Sequence, residues 1–122
     1  MNLLLNIIWL VFGGFILVIG YLLGAILLCI TIIGIPFGIQ CFKLADLALV
    51  PFGRRIEDDP RRGSSSALFN VLWLVLAGIW IALTHVMFAF MCAVTVIGIP
   101  FAVQHIKLAM LGLWPFGKRV VT

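Results

Sequence analysis

Charge is what this chain has least of. Only 10% of its 122 residues are Asp, Glu, Lys or Arg, and none lies between Met1 and Phe42 or between Ser64 and Ile106. Apolar residues make up 65%, against roughly 45–50% in an ordinary soluble domain. A short chain leaves much of its surface outside even when well packed, so the surplus needs lipid as its solvent. Chemistry-bearing patterns are missing too. The three cysteines, Cys29, Cys41 and Cys92, stand apart with no CxxC or Cys/His spacing, and read as small core hydrophobes. There is no Ser/His/Asp arrangement, no carboxylate pair in the apolar segments and no phosphate-cradling glycine loop, so no enzyme, cofactor or metal site is expected. Met1-Asn2-Leu3 lacks the basic start of a cleaved signal, so the first apolar segment is expected to stay in the mature protein. The net charge of +4 comes from clusters flanking the apolar stretches, which argues against nucleic acid as a partner.

What is present is a duplication. Sliding the chain against itself by 64 residues aligns Asn6 with Asn70, Trp9-Leu10-Val11 with Trp73-Leu74-Val75, and Gly14 with Gly78. Thr31 and Ile33-Gly34-Ile35-Pro36-Phe37 then meet Thr95 and Ile97-Gly98-Ile99-Pro100-Phe101, and Pro51-Phe52-Gly53 meets Pro115-Phe116-Gly117. About 22 of 51 aligned positions are identical, too many for unrelated apolar runs. The predicted organisation is a first membrane repeat over 1–56, a charged linker over 57–66 and a second membrane repeat over 67–122.

Each repeat reads as a long transmembrane helix, a break at Gly34 and Pro36 or Gly98 and Pro100, and a shorter amphipathic or re-entrant helix over 37–50 or 101–114. A helix of that length reaches roughly 21 Å, short of a hydrocarbon core of about 30 Å. Arg54, Arg55, Arg61 and Arg62 crowd the linker, and Lys118 and Arg119 close the chain. By the positive-inside rule both clusters face the cytoplasm and set topology or meet anionic lipid headgroups. The second repeat then crosses an even number of times or enters and leaves on one side, and the two repeats are parallel. The linker, with both charge signs, Pro60 and Gly63, is expected to be a solvated loop, with one of its serines capping the next helix.

Polar residues inside apolar helices are the functional candidates. Gln40 and Lys43 are three apart on the first short helix, and Gln104 and Lys107 repeat them, predicting a polar stripe on one face. Asp46 can pair with Lys43, whereas the second copy has Met110 there, so the stripe leans positive and towards anions. Thr31 and Thr95 join it as polar-path candidates. His85 sits mid-way along the second long segment, opposite Tyr21 in the first copy. No second histidine or carboxylate stands at ligand spacing to it, and His105 is placed near the headgroups. Gly20 and Gly24 form a small-xxx-small motif for close helix approach. Trp9, Trp73 and Trp114 read as interfacial anchors.

Taken together, Asn6-x-x-Trp9 with Gly13-Gly14, the Ile33-Gly34-Ile35-Pro36-Phe37 break, Lys43, Pro51-Phe52-Gly53 and their second copies resemble the YccF inner membrane component domain family. The resemblance spans nearly the whole chain. It implies a bacterial inner membrane location and brings no reaction, substrate or catalytic residues with it. The fold expected is an all-α integral membrane protein of two tandem parallel repeats. The leading expectation is a homo-oligomeric ion-conducting pore with an anion-leaning path. The alternative is a non-conducting scaffold that binds a partner helix or anionic lipid, and a small-solute carrier is a third reading.

Overall fold

A computed structural model describes residues 2–60 and 66–121. The chain divides into two compact units, one ending at Arg55 and the other running from Ile56 to Val121. Each is a helical hairpin with arms of unequal length.

In the first unit the long arm is one apolar helical stretch, Asn2–Ile30. It consists of α1 (Asn2–Trp9), a kinked turn at Leu10–Gly14, and α2 (Phe15–Ile30). The short arm is α3 (Ile35–Leu49), 15 residues or about 22 Å. A helix satisfies its backbone internally, the only open-ended way to place so apolar a segment in lipid. The Leu10–Gly14 turn is absent from the sequence expectation of an unbroken helix. It contains Phe12 (φ −97°, ψ 20°) and Gly13 at φ 143°, a conformation that favours glycine.

The hairpin reverses earlier than the Gly-Pro pair suggests. α2 ends at Ile30, and Ile32 turns the chain in the left-handed region at φ 66°. Pro36 lies in the first turn of α3, where its missing N–H costs nothing, so it starts the short helix and does not break the long one. Inside the reversal, the Thr31 hydroxyl donates to Leu28 O (2.6 Å) and accepts from Gly34 N (2.9 Å). Ile33 N and Ile35 N donate to Thr31 O and Ile32 O. The turn is thus closed on itself, with Ile33 projecting from its apex at 87% exposure.

At the open end the arms are clamped by polar side chains. Asn6 donates to Phe52 O (3.2 Å) and accepts from Phe52 N (2.8 Å), as a neighbouring strand would. Trp9 is buried and donates its indole N–H to Ala48 O at 2.6 Å. This corrects the reading of Trp9 and Trp73 as interfacial anchors: the indole N–H closes a gap between arms instead of facing headgroups, while Trp114 is exposed. Between tip and clamp the arms meet through small groups. A Cβ added to Gly38 would stand 2.6 Å from Cys29 Sγ and 2.9 Å from Ala25 O, so the backbones approach as closely as glycine permits. Of the small-xxx-small pair, Gly24 lies 4.0 Å (from an added Cβ) from Cys41 Sγ, whereas Gly20 faces open space.

The second unit repeats the plan with α4 (Ser66–Trp73), a π-helical turn at Leu74–Gly78, α5 (Ile79–Val94) and α6 (Ile99–Leu113). Val96 reverses the chain at φ 65°, Thr95 closes the turn through Cys92 O and Gly98 N, and Ile97 projects at 87% exposure. Asn70 and Trp73 clamp the open end on Phe116 and Gly112. This unit also carries a feature outside the all-α expectation. Strand β1 (Arg55–Asp58) pairs with β2 (Lys118–Val121), so Glu57 and Asp58 are ordered and not part of a solvated loop. Charge complementarity accounts for it: Arg119 binds Glu57 Oε1 (2.6 and 3.0 Å), and Lys118 pairs with Asp58. Arg61, Arg62 and the candidate capping serines Ser64 and Ser65 lie outside the described residues, as does the Ser66 side chain.

Candidate polar sites along the hairpins

The short helix buries one broad half of its circumference. Gly38, Cys41, Ala45 and Ala48 form one side of that half, and Gln40, Leu44 and Leu47 the other. The second copy matches with Ala102, His105, Ala109 and Gly112, and with Gln104, Leu108 and Leu111. The edge of that buried half divides the expected Gln–Lys stripe. Gln40 and Gln104 are each 6% exposed, while Lys43 and Lys107, one step round the helix, remain partly exposed. Residues three apart on an α-helix are neighbours, so the pair stays adjacent but only its glutamine is covered.

Asp46 is held by Arg54, which donates to both carboxylate oxygens (3.2 and 2.8 Å) and to the Asp46 carbonyl. The basic residues at the open ends of the hairpins therefore meet acids of the chain: Arg54 with Asp46, Lys118 with Asp58, Arg119 with Glu57. Arg55 is exposed.

His85 and His105 come together, 20 residues apart in sequence. Their Nδ1 atoms are 3.0 Å apart, their ring centroids 5.2 Å apart at 33°, and His85 is 1% exposed. His105 is therefore buried in the hairpin and not near the headgroups. One ring must present Nδ1–H and the other a bare Nδ1, so the two neutral imidazoles hold opposite tautomers. The Phe88 ring lies 5.5 Å from His105. Loop reversal defeats spacing arguments here, since residues equidistant from the tip meet whatever separates them in sequence. The first unit has Tyr21 and Cys41 at the matching positions, so the imidazole pair belongs to the second unit alone. Among the described residues no group of three or more His, Cys, Asp or Glu side chains is placed to hold a metal ion.

Of the candidates read from sequence, Thr31 and Thr95 use their hydroxyls inside the tips, Gln40 and Gln104 are buried, and His85 is paired. Sequence reasoning missed the clamps at Asn6, Asn70, Trp9 and Trp73. Their signal was available: they are polar or N–H-bearing residues kept in both copies of an otherwise drifting apolar helix.

Comparison with known proteins turns on the same duplication. The model of the YccF inner membrane component domain matches the chain twice, over residues 4–54 and 68–118. The chain belongs to the YccF family. The two matches repeat the 64-residue offset of the internal alignment, and together they take in both hairpins with their clamps and tips. Inner membrane protein YccF of Escherichia coli (strain K12) is 31% identical over 131 aligned residues, which cover all of this chain and 88% of that protein. The protein of the same name from Shigella flexneri matches to the same extent. No solved structure matches. The chain is thus an inner membrane protein of the YccF family.

Proposed function

We propose that the protein is a non-conducting membrane scaffold made of two re-entrant hairpins, inserted from the cytoplasmic face, whose apolar flanks receive a partner helix. One observation carries this reading. Within the helices, Asn6, Gln40, Asn70, His85, Gln104 and His105 are buried, and the hydroxyls of Thr31, Thr84 and Thr95 bond to their own backbone. Apart from Lys43, Asp46 and Lys107 on the short helices, the exposed surface of both hairpins consists mainly of large apolar side chains. Such a surface suits lipid and other apolar helices and offers water no continuous path.

The hairpin tips support the re-entrant part. Each has its turn bonded internally and an exposed isoleucine at its apex, as a turn lodged in hydrocarbon requires. A short arm of about 22 Å stops roughly 8 Å short of the far side of a 30 Å core. Both ends of each hairpin then lie on the side holding Arg54, Arg55, Lys118 and Arg119, with the linker and C-terminus cytoplasmic. Enzymatic activity has no place in this reading, and anionic headgroups are a secondary ligand for Arg55.

Purified protein in liposomes at high loading is expected to leave the bilayer tight to ions. In a variant lacking the native cysteines, a cysteine replacing Arg55 or Arg119 is labelled only from the cytoplasmic face, and one replacing Ile33 or Ile97 from neither. Labelling of the tips from the opposite face overturns the re-entrant topology. A second reading, the homo-oligomeric anion-leaning pore, is favoured by the matched, partly exposed Lys43 and Lys107. It predicts flux whose selectivity changes when both are replaced by glutamine.

A further inference from the structure

Gln40 and Gln104 are the chain's two glutamines, occupy the same position in both units and are each 6% exposed. In each, Nε2 donates to the carbonyl four residues earlier, Pro36 O at 3.4 Å and Pro100 O at 3.2 Å. That bond decides the orientation of the amide, because exchanging its oxygen and nitrogen would set two carbonyl oxygens against each other. The remaining atom, Oε1, is buried in both residues without a hydrogen-bond partner among the described residues. An amide oxygen in so apolar a setting costs several kcal/mol when it accepts nothing. The chain keeps that arrangement twice, where leucine or methionine would avoid it.

We propose that each of these glutamine oxygens holds a buried water molecule. The chemistry narrows the ligand. An acceptor oxygen repels anions, so only a donor or a cation suits it. A cation needs several oxygen ligands, and the nearest carboxylate in sequence, Asp46, is exposed and committed to Arg54. A neutral donor small enough to lie beside a packed helix is water. The two short helices thereby carry matching points of hydration within the apolar part of the chain.

The composition supplies the test. Glutamine labelled with ¹³C at its side-chain carbonyl reports these two sites and nothing else, in the full-length protein in liposomes. Isotope-edited infrared spectra are expected to show the carbonyl in its hydrogen-bonded position, and solid-state NMR to show magnetisation passing from water to the labelled carbons. Gln40→Met leaves roughly half of the labelled signal, assigning each site. A carbonyl band at the position of a free amide overturns the proposal. So does a hydrogen-bonded band with no transfer from water, which would make the donor a protein or lipid group.

Discussion

Replacing Asn70 with alanine tests how the hairpins are held shut. The side chain makes two bonds to one residue, donating to Phe116 O at 2.8 Å and accepting from Phe116 N at 2.7 Å, and is 1% exposed. Each bond contributes about 1 kcal/mol, and leaving the partly buried Phe116 N–H without an acceptor costs about 1 kcal/mol more. The sum is a loss of roughly 3 kcal/mol. Asn6→Ala breaks the equivalent clamp; its donor bond is longer, at 3.2 Å, but its partner Phe52 is more deeply buried than Phe116, so its loss should be similar, about 3 kcal/mol. Reversible unfolding in mixed micelles measures both, with tryptophan fluorescence as a local reporter because the Trp73 and Phe116 rings lie 6.5 Å apart. Asn70→Leu keeps the volume and loses the bonds, so it should cost nearly as much as alanine. A cost below about 0.5 kcal/mol for Asn70→Ala, or a neutral Asn70→Leu, refutes the clamp.

Gly38→Ala should destabilise by about 1–3 kcal/mol in the same assay, since its Cβ would stand 2.6 Å from Cys29 Sγ and 2.9 Å from Ala25 O. Ile32→Gly and Val96→Gly should each stabilise folding in detergent by about 1 kcal/mol, because a β-branched residue is strained at φ 66° or 65° and glycine is not. With ¹⁵N-labelled histidine, the imidazole spectrum should contain one protonated and one bare Nδ1, with scalar coupling across the 3.0 Å contact that His105→Leu abolishes. Arg119→Gln should cost less than about 1 kcal/mol, as its partner Glu57 is partly exposed and the pair is screened by solvent.

Much of the hairpin was legible because the chain states it twice. Gly34/Gly98 and Pro36/Pro100 mark an interruption in both copies, and the structure makes it a reversal centred on Ile32 and Val96. Its mechanism was not legible, because Ile32 and Val96 are poor residues for the left-handed region, and only the closure of the turn by the threonine explains their tolerance. His85 was identifiable as polar at depth, but its partner depended on the reversal at Val96, which no local pattern encodes. The ribbon of β1 and β2 escaped because its charges read equally well as a solvated loop.

The sequence by itself determined that the chain needs a bilayer, that it is a duplication, and that each copy is interrupted after a long apolar run. Those properties follow from composition and repetition, which are local and additive. Only the tertiary structure decided which polar groups are used up: that Gln40 and Gln104 are buried while Lys43 and Lys107 stay partly exposed, that Trp9 and Trp73 bond carbonyls instead of headgroups, and that His85 meets His105. The physical reason is that a hydrogen bond is set by the position of its partner, and in a hairpin the partner lies on the other arm.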